Sequence, residues 1–560
     1  MCGICGKVFF DKDRTPAPDT LKKMMHVMNH RGPDDEGMYI SKQVGLGHKR
    51  LTIIDLNTGK QPIANEDGMI WVVYNGEIYN YKELRANLIQ KGHTFKTDTD
   101  TEVIVHLYEQ YGEKCISKLR GMFAFALWDE RERMLLLARD RVGIKPLYYS
   151  ITETSIIFAS EIKSILVDPS VKREVNFAGV DKFLTYFYTP GPETVFKNID
   201  KLNPGYFLIL KDGKVAVKQY WDLNFSMSET EGNFKTSAAE LTDLLRKTVR
   251  DHMISDVPVG FLLSGGIDST ALLSFATEQT DKDISTFTIG FEGHDFADER
   301  PYAKLAAEKF GTKHHEMTIT AKDFLDFLPK YVWHMEEPVC EPPAIALYFV
   351  SKLAKEYVKV LISGEGGDEA FAGYPNYRNF VWLERVKKLF GPLNGSVSKI
   401  LSHMSSLSLF SKFEKYAPLM NIALDGYYYS RSSGPFSFFN ANIEKLYSEK
   451  FRNHIDKKYS LEPVNSYLHN VRDQGNLAKM LYVDTKTWLP DDLLIKADRI
   501  TMANSIELRV PLLDHKVLEF AACLPAHYKL NGFTTKYILK KCFRNRVPKE
   551  ILNRKKTGFP

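Results

Sequence analysis

Cysteine is scarce in this chain: six in 560 residues, at Cys2, Cys5, Cys115, Cys340, Cys523 and Cys542. So few, so scattered, cannot form a disulfide framework, which points to a reducing compartment. Cys2 and Cys5 make a C-x-x-C, but no second pair or nearby histidines follow at the spacing of a structural zinc site. Long apolar runs are missing too, and none approaches the roughly 18 residues of a membrane span. The start lacks the apolar core of a signal peptide, because Asp11, Lys12, Asp13 and Arg14 interrupt early. Charge of one sign is also lacking. A net +5 gives no reason to expect nucleic acid or a membrane as partner. No G-x-x-x-x-G-K-[ST] occurs, which excludes a Walker A loop. The expectation is a soluble, cytoplasmic protein acting on small molecules.

What is present is ordinary in amount, with 44% hydrophobic and 26% charged residues. At roughly 150 residues per domain, the length suits two to four domains. Residues 1–215 read as many short strands with a few helices. Gly3 to Phe10 has a strand pattern, Tyr81 to Gln90 and Glu102 to Tyr111 have helical periodicity, and Met69 to Tyr74 is a strand ending at an Asn75-Gly76 turn signal. The pattern predicts two layered sheets with helices outside them. Polar, Ser- and Glu-rich residues then mark a linker over 216–236. Residues 237–560 alternate strands and helices, as a parallel sheet requires.

Cys2 follows Met1 directly, and its small side chain suits removal of the methionine. Removal would leave a thiol and a free α-amino group on one residue. That amine has a pKa of roughly 7.7–8.0, and an N-terminal amine can serve as base for its own nucleophile. Charged and polar groups recur among apolar neighbours at His30-Arg31-Gly32-Pro33-Asp34, Arg50, Asn75-Gly76-Glu77 and Asp100, although Asp100 could equally cap the helix that follows.

Together with CGICG, the stretches HRGPDDEG, HKRLTIIDL, VYNGEIYNY, TDTDTE, GMFAFALWD and ARDRVGIKPLYY resemble the glutaminase domain of class II glutamine amidotransferases. Those domains are N-terminal-nucleophile (Ntn) hydrolases with an αββα sandwich. The resemblance implies that Cys2 attacks the glutamine side-chain amide. Asn75 and the Gly76 backbone N–H would form the oxyanion hole, Arg50 would hold the glutamine carboxylate, Asp100 its ammonium, and Glu77 would also belong to the glutamine site. A glycine at 76 is expected to keep side-chain atoms away from the oxyanion.

In the second half, an apolar strand over Val257 to Leu263 leads into Ser264-Gly265-Gly266-Ile267-Asp268-Ser269 and then a helix, an arrangement that cradles phosphate. A second strand, Val358 to Ile362, leads into Ser363-Gly364-Glu365-Gly366-Gly367-Asp368-Glu369, whose carboxylates suit Mg²⁺ beside nucleotide phosphates. Lys536 opens a helix beside a turn. Lys496 to Ala503 and Glu507 to Asp514 read as an ion-paired structural junction, and His314-His315 as structural.

SGGIDS resembles the pyrophosphate loop of the ATP pyrophosphatases (adenine nucleotide α-hydrolase-like). The whole second half, through FLLSGGIDST, FADERPYA, LISGEGGDEAFAGY and TTKYILKK, resembles the synthetase domain of glutamine-hydrolysing asparagine synthetases. By that likeness Ser264, Gly265, Gly266, Asp268, Ser269 and Ser363 bind ATP, with Leu263, Ile289 and Gly364 lining the adenine and ribose site. Glu365 acts on the acyl-AMP or on the attacking ammonia, Asp268 and Asp368 bind Mg²⁺, and Lys536 stabilises developing charge. The implied partners are glutamine, ATP and aspartate; a homodimer stays open. Family members continue past the closing Lys-Thr-Gly-Phe-Pro. Two rivals stand beside asparagine synthesis. One is the same machinery with a cell-wall, antibiotic or sugar-acid carboxylate as acceptor. The other is a non-catalytic storage or regulatory relative, which intact Cys2, Arg50, Asn75, Asp100 and the SGGIDS loop disfavour. A β-lactam-forming relative would lack Cys2.

Overall fold

The computed structural model describes residues 2–225, 233–280, 282–293, 298–404, 414–455 and 457–554. Met1, residues 226–232 of the expected linker and the terminal Lys-Thr-Gly-Phe-Pro lie outside the described residues.

The first half supplies twelve described strands: β1 (Gly3–Phe9), β2 (Asp35–Ser41), β3 (Val44–Arg50), β4 (Ile63–Ala64), β5 (Ile70–Ile78), β6 (Gly121–Asp129), β7 (Met134–Arg139), β8 (Tyr148–Ile151), β9 (Ser155–Ala159), β10 (Asp200–Lys201), β11 (Tyr206–Lys211) and β12 (Lys214–Gln219). They form two antiparallel sheets, in the orders β10-β8-β9-β1-β3-β2 and β12-β11-β7-β6-β5-β4. Side-chain alternation layers them. Ile4 and Val8 of β1, Val73 of β5 and Ala124, Ala126 and Trp128 of β6 fill the space between the sheets. The opposite faces take the helices. Cys5 packs with Leu21, Met24 and Met25 of helix Pro18–His26, while Phe123 and Phe125 pack with Leu88, Val103 and Leu107 of helices Tyr81–Gln90 and Glu102–Tyr111. The result is the expected αββα Ntn-hydrolase sandwich.

Two local expectations are overturned. Asn75-Gly76 is no turn: β5 runs through both residues to Ile78, with Asn75 opposite Ala124 and Gly76 opposite Phe123. An Asn-Gly turn needs positive φ at both positions, and neither residue has it. The linker is also shorter than 216–236, because β12 reaches Gln219 and helix Phe234–His252 has already begun at 234.

The second half adds β13 (Val259–Leu262), β14 (Ser285–Phe291), β15 (Lys313–Ile319), β16 (Val360–Ile362) and β17 (Glu507–Arg509). All pair in parallel, in the order β15-β14-β13-β16-β17. Strand order therefore reverses between β13 and β16. In open parallel sheets the crevice at such a switch point, beyond the strands' carboxyl ends, is where ligands bind. The loops after β13 and β16 are the two Gly-rich stretches. The sheet is the α/β unit expected of an ATP pyrophosphatase. His315 stacks on Phe287, with ring centroids 5.2 Å apart, in keeping with a structural role. No described helix is long and apolar enough to cross a membrane.

Two candidate sites, one in each domain

Cys2 precedes β1 in one sheet, and Asn75 shares with Val73 the face of β5 turned towards that sheet. This is why residues 73 positions apart meet: the Cys2 backbone nitrogen donates to Asn75 Oδ1 at 2.9 Å. Asn75 is fully buried, and its Nδ2 has no hydrogen-bond partner. A buried amide donor without a partner costs about 1–3 kcal/mol, so this one is poised for an oxygen supplied from outside. Arg31 Nε donates to the Cys2 carbonyl at 3.1 Å. Burial pushes the Cys2 thiol pKa up, and Arg50 pulls in the opposite direction. The sulfur therefore rests as a thiol, and it would need a base to act as a nucleophile.

Arg50 ends β3. Its Nη2 donates to the carbonyls of Asp55 (2.5 Å) and Ile54 (3.4 Å). Asp100 does not cap the helix after it. Its Oδ2 accepts from Tyr74 Oη and from the Ile78 amide, each at 2.9 Å, which ties it to β5. Burial raises its pKa. Glu77, two residues beyond Asn75 on the same face, pairs with Arg509 Nη2 of β17 at 3.1 Å. Burial raises the Glu77 pKa far above the carboxylate range. Strand pairing gives a further reason for glycine at 76: a Cβ there would sit 2.1 Å from the Met122 carbonyl oxygen on β6.

The second site is a cavity of about 430 Å³ at the switch point. Leu263, Ser264, Gly266, Asp268, Ser269, Ile289, Ser363, Gly364, Glu365, Asp368 and Lys536 all line it. Gly265 does not. It turns at φ +62°, and a Cβ would lie 2.4 Å from Cβ of Tyr302. Gly364 lets the loops touch, since its Cβ would meet the Ser269 nitrogen at 2.8 Å. Ser264 Oγ accepts from the Gly266 amide at 3.3 Å, and helix Ile267–Ala276 starts there with its amides facing the loop.

Lys536, left-handed at φ 50°, lies between the two carboxylates expected to bind metal: its Nζ pairs with Asp268 Oδ2 and, at 2.7 Å, with Asp368 Oδ1. Burial works against its charge, but both aspartates outweigh burial and raise its pKa. Two hard oxygen donors converging on a cation beside a Gly-rich loop form a donor set that would fit Mg²⁺. Glu365 is half-buried, and its Oε2 is buried and unpartnered. Burial lifts its pKa to about 7, against the pull of Lys496. That suits proton transfer near neutral pH.

Three contributors escaped the sequence reading. Lys496, taken as structural, lines the cavity and pairs with Glu341 at 3.3 Å. Arg554 donates to the Ser264 carbonyl at 3.2 Å. Gly373 leaves room for the ion triad, since a Cβ would lie 1.8 Å from Asp368 Oδ1 and 2.1 Å from Lys536 Cε. Only Lys496 carried a signal, the charge pattern around it. The other junction residues behave as expected. Asp498 accepts from Arg31 Nη2 at 2.8 Å, and Arg499 pairs with Glu336, which also accepts from the Ile162 and Lys163 amides. Arg31 thus touches both the Cys2 carbonyl and helix Ile495–Met502 of the second domain.

Residues 1–221 match the family described as a glutamine amidotransferase domain, and residues 240–560 match the asparagine synthase family. The chain is 38% identical to asparagine synthetase [glutamine-hydrolyzing] 1 of Bacillus subtilis, covering 100% of this chain and 87% of that one. It is 37% identical to a putative asparagine synthetase [glutamine-hydrolyzing] of Mycobacterium bovis, with the same coverage. It is also 29% identical to amidase chyE of Penicillium rubens, over 97% of this chain and 84% of that one.

Proposed function

The chain belongs to the glutamine-hydrolysing asparagine synthetases, a family of C–N ligases, and on that premise we propose how its own residues divide one amidation between two sites. The net reaction is L-aspartate, L-glutamine, ATP and water giving L-asparagine, L-glutamate, AMP and diphosphate. Residues 1–215 release ammonia, and residues 237–560 consume it.

At the first site, loss of Met1 converts the nitrogen held by Asn75 Oδ1 into an α-amine. That amine takes the thiol proton, directly or through water. The sulfur attacks the glutamine amide carbon, and the oxygen that becomes negative accepts from Asn75 Nδ2 and the Gly76 N–H. Collapse expels ammonia and leaves a glutamyl thioester, which water hydrolyses. Arg50 and Asp100 grip the substrate's carboxylate and ammonium. Glu77 orients the site through its link to Arg509. The observation that carries this reading is Asn75: one end holds the Cys2 nitrogen, and the other is a buried donor without a partner.

At the second site, the Ser264–Ser269 loop binds the β- and γ-phosphates of ATP, while Leu263, Ile289, Ser363 and Gly364 bracket the nucleoside. The aspartate side-chain carboxylate attacks the α-phosphorus, diphosphate leaves, and an aspartyl-AMP remains. Asp268 and Asp368 would hold Mg²⁺, which would neutralise phosphate charge. Lys536 balances charge on the phosphate and on the tetrahedral centre formed when ammonia attacks. Glu365, with its pKa near neutrality, takes the proton that ammonia must lose. An internal path for ammonia suits the chemistry, since ammonia released to water would protonate and be lost.

The test offers aspartate and a panel of other carboxylates with glutamine and ATP. Asparagine, glutamate, AMP and diphosphate in equal amounts are expected from aspartate. ADP in place of AMP, or amidation of another carboxylate in preference to aspartate, would overturn the assignment.

A further inference from the structure

Behind the glutamine site, four side chains that the mechanism does not use converge: Glu66, His93, His106 and Glu109. They come from three segments, namely the turn after β4, the loop after helix Tyr81–Gln90, and helix Glu102–Tyr111. One ligand atom from each lies within 4.8 Å of all the others. We propose that these four residues form a tetrahedral N₂O₂ site for a divalent transition ion of the Zn²⁺ class.

The distances carry the proposal. Zn–N and Zn–O bonds of about 2.0–2.2 Å set the edges of a ligand tetrahedron at about 3.3–3.5 Å. His93 Nδ1 lies 3.2 Å from Glu66 Oε1 and 3.7 Å from Glu109 Oε2. His106 Nδ1 lies 3.2 Å from Glu66 Oε2 and 3.4 Å from Glu109 Oε2. Both imidazoles present Nδ1 to the same pair of carboxylates, Glu109 through one oxygen and Glu66 through a different oxygen to each. Imidazole with carboxylate is a donor set that suits zinc, whereas Mg²⁺ and Ca²⁺ prefer all-oxygen sites.

The surroundings are those a metal ligand needs. A ligating histidine usually donates its other ring N–H to a carboxylate; His106 Nε2 is buried without a hydrogen-bond partner, 3.5 Å from Glu102 Oε1, its nearest carboxylate oxygen. Glu102 is itself fixed by the Lys96 amide at 2.8 Å and the Thr97 amide at 2.7 Å. Glu109 Oε1 accepts from Asn65 Nδ2 at 2.7 Å, and Glu66 Oε1 from the Thr94 amide at 3.0 Å. His106 is buried and Glu66 is exposed, so the site has a floor and an opening to solvent. An ion there would staple the three segments together, with Glu102 beside His106 only two residues from Asp100.

The test uses the full chain, stripped of metal by a chelator and titrated with Co²⁺ without nucleotide. One equivalent should give intense visible bands of tetrahedral Co²⁺ without a thiolate charge-transfer band, and one equivalent of Zn²⁺ should abolish them. Zn²⁺ should also raise the melting temperature. His93→Gln, on a half-exposed loop, should weaken binding at least tenfold and remove the thermal shift. No tetrahedral cobalt signal, a thiolate band, or an unchanged titration in His93→Gln would overturn the proposal.

Discussion

Asn75→Ala removes the orphaned Nδ2 and the acceptor of the Cys2 nitrogen in one change. Loss of one oxyanion donor lowers kcat by about 100- to 1000-fold, roughly 2.7–4 kcal/mol of barrier. The lost bond to Cys2 adds about 1 kcal/mol of local destabilisation, too little to unfold the sandwich. Asn75→Asp separates the two roles. It keeps an acceptor for the Cys2 nitrogen but replaces the donor with a second acceptor, so its glutaminase rate should be no higher than that of the alanine variant. The assay measures glutamate release from glutamine and, in parallel, asparagine formation from added ammonia. Only the first should fall. A loss of glutaminase activity under tenfold, or a parallel loss of ammonia-dependent synthesis, would refute the role given to Asn75.

Glu365→Gln should abolish synthesis while leaving glutaminase activity, and the limb of the ammonia-dependent rate that rises through about pH 7 should vanish with it. The sign for stability is opposite. The folded-state pKa lies above the unfolded value of 4.5, so Glu365 destabilises increasingly as pH rises from about 4.5 through about 7. The glutamine variant should therefore melt higher at pH 8, by at most about 3 kcal/mol from the shift, and an unchanged or lower melting temperature there would contradict the burial argument. Lys536→Met leaves two carboxylates facing each other without a cation. It should eliminate synthesis and destabilise the nucleotide-free protein by about 3–5 kcal/mol, read by denaturant titration with glutaminase activity as control. Gly373→Ala should mimic it in activity, because its Cβ would enter the Asp368–Lys536 pair; wild-type synthesis in that variant would sink the geometry. Cys2→Ala should abolish glutamine use and spare ammonia-dependent amidation.

Motifs that sit on one loop were readable from the chain alone. The Ser264–Ser269 and Ser363–Asp368 loops are contiguous, each follows an apolar strand, and the cavity is built from them. What the sequence could not disclose depends on pairing between distant elements. Asn75-Gly76 has the composition of a turn, but β6 captures it into a nine-residue strand, and only that capture turns Asn75 towards Cys2. β17 is three residues long and two of them are charged, so no hydrophobic pattern marks it, yet it closes one edge of the parallel sheet and sends Arg509 to Glu77. Lys496 and Arg499 lie three apart on one helix. One faces the cavity and the other Glu336, a division fixed by packing that helical spacing alone leaves undecided. The Glu66–His93–His106–Glu109 cluster comes from three segments, which is why ligand-spacing rules passed over it.

The central claim is that Cys2, with a free α-amine, is the nucleophile that supplies ammonia to the second site. Intact-mass and N-terminal peptide measurement of active protein, acid-quenched during glutamine turnover, tests it most directly. The account predicts a chain that begins at Cys2 and carries one glutamyl group on that residue. Active protein that retains Met1, or a glutamyl group on any other residue, would contradict it.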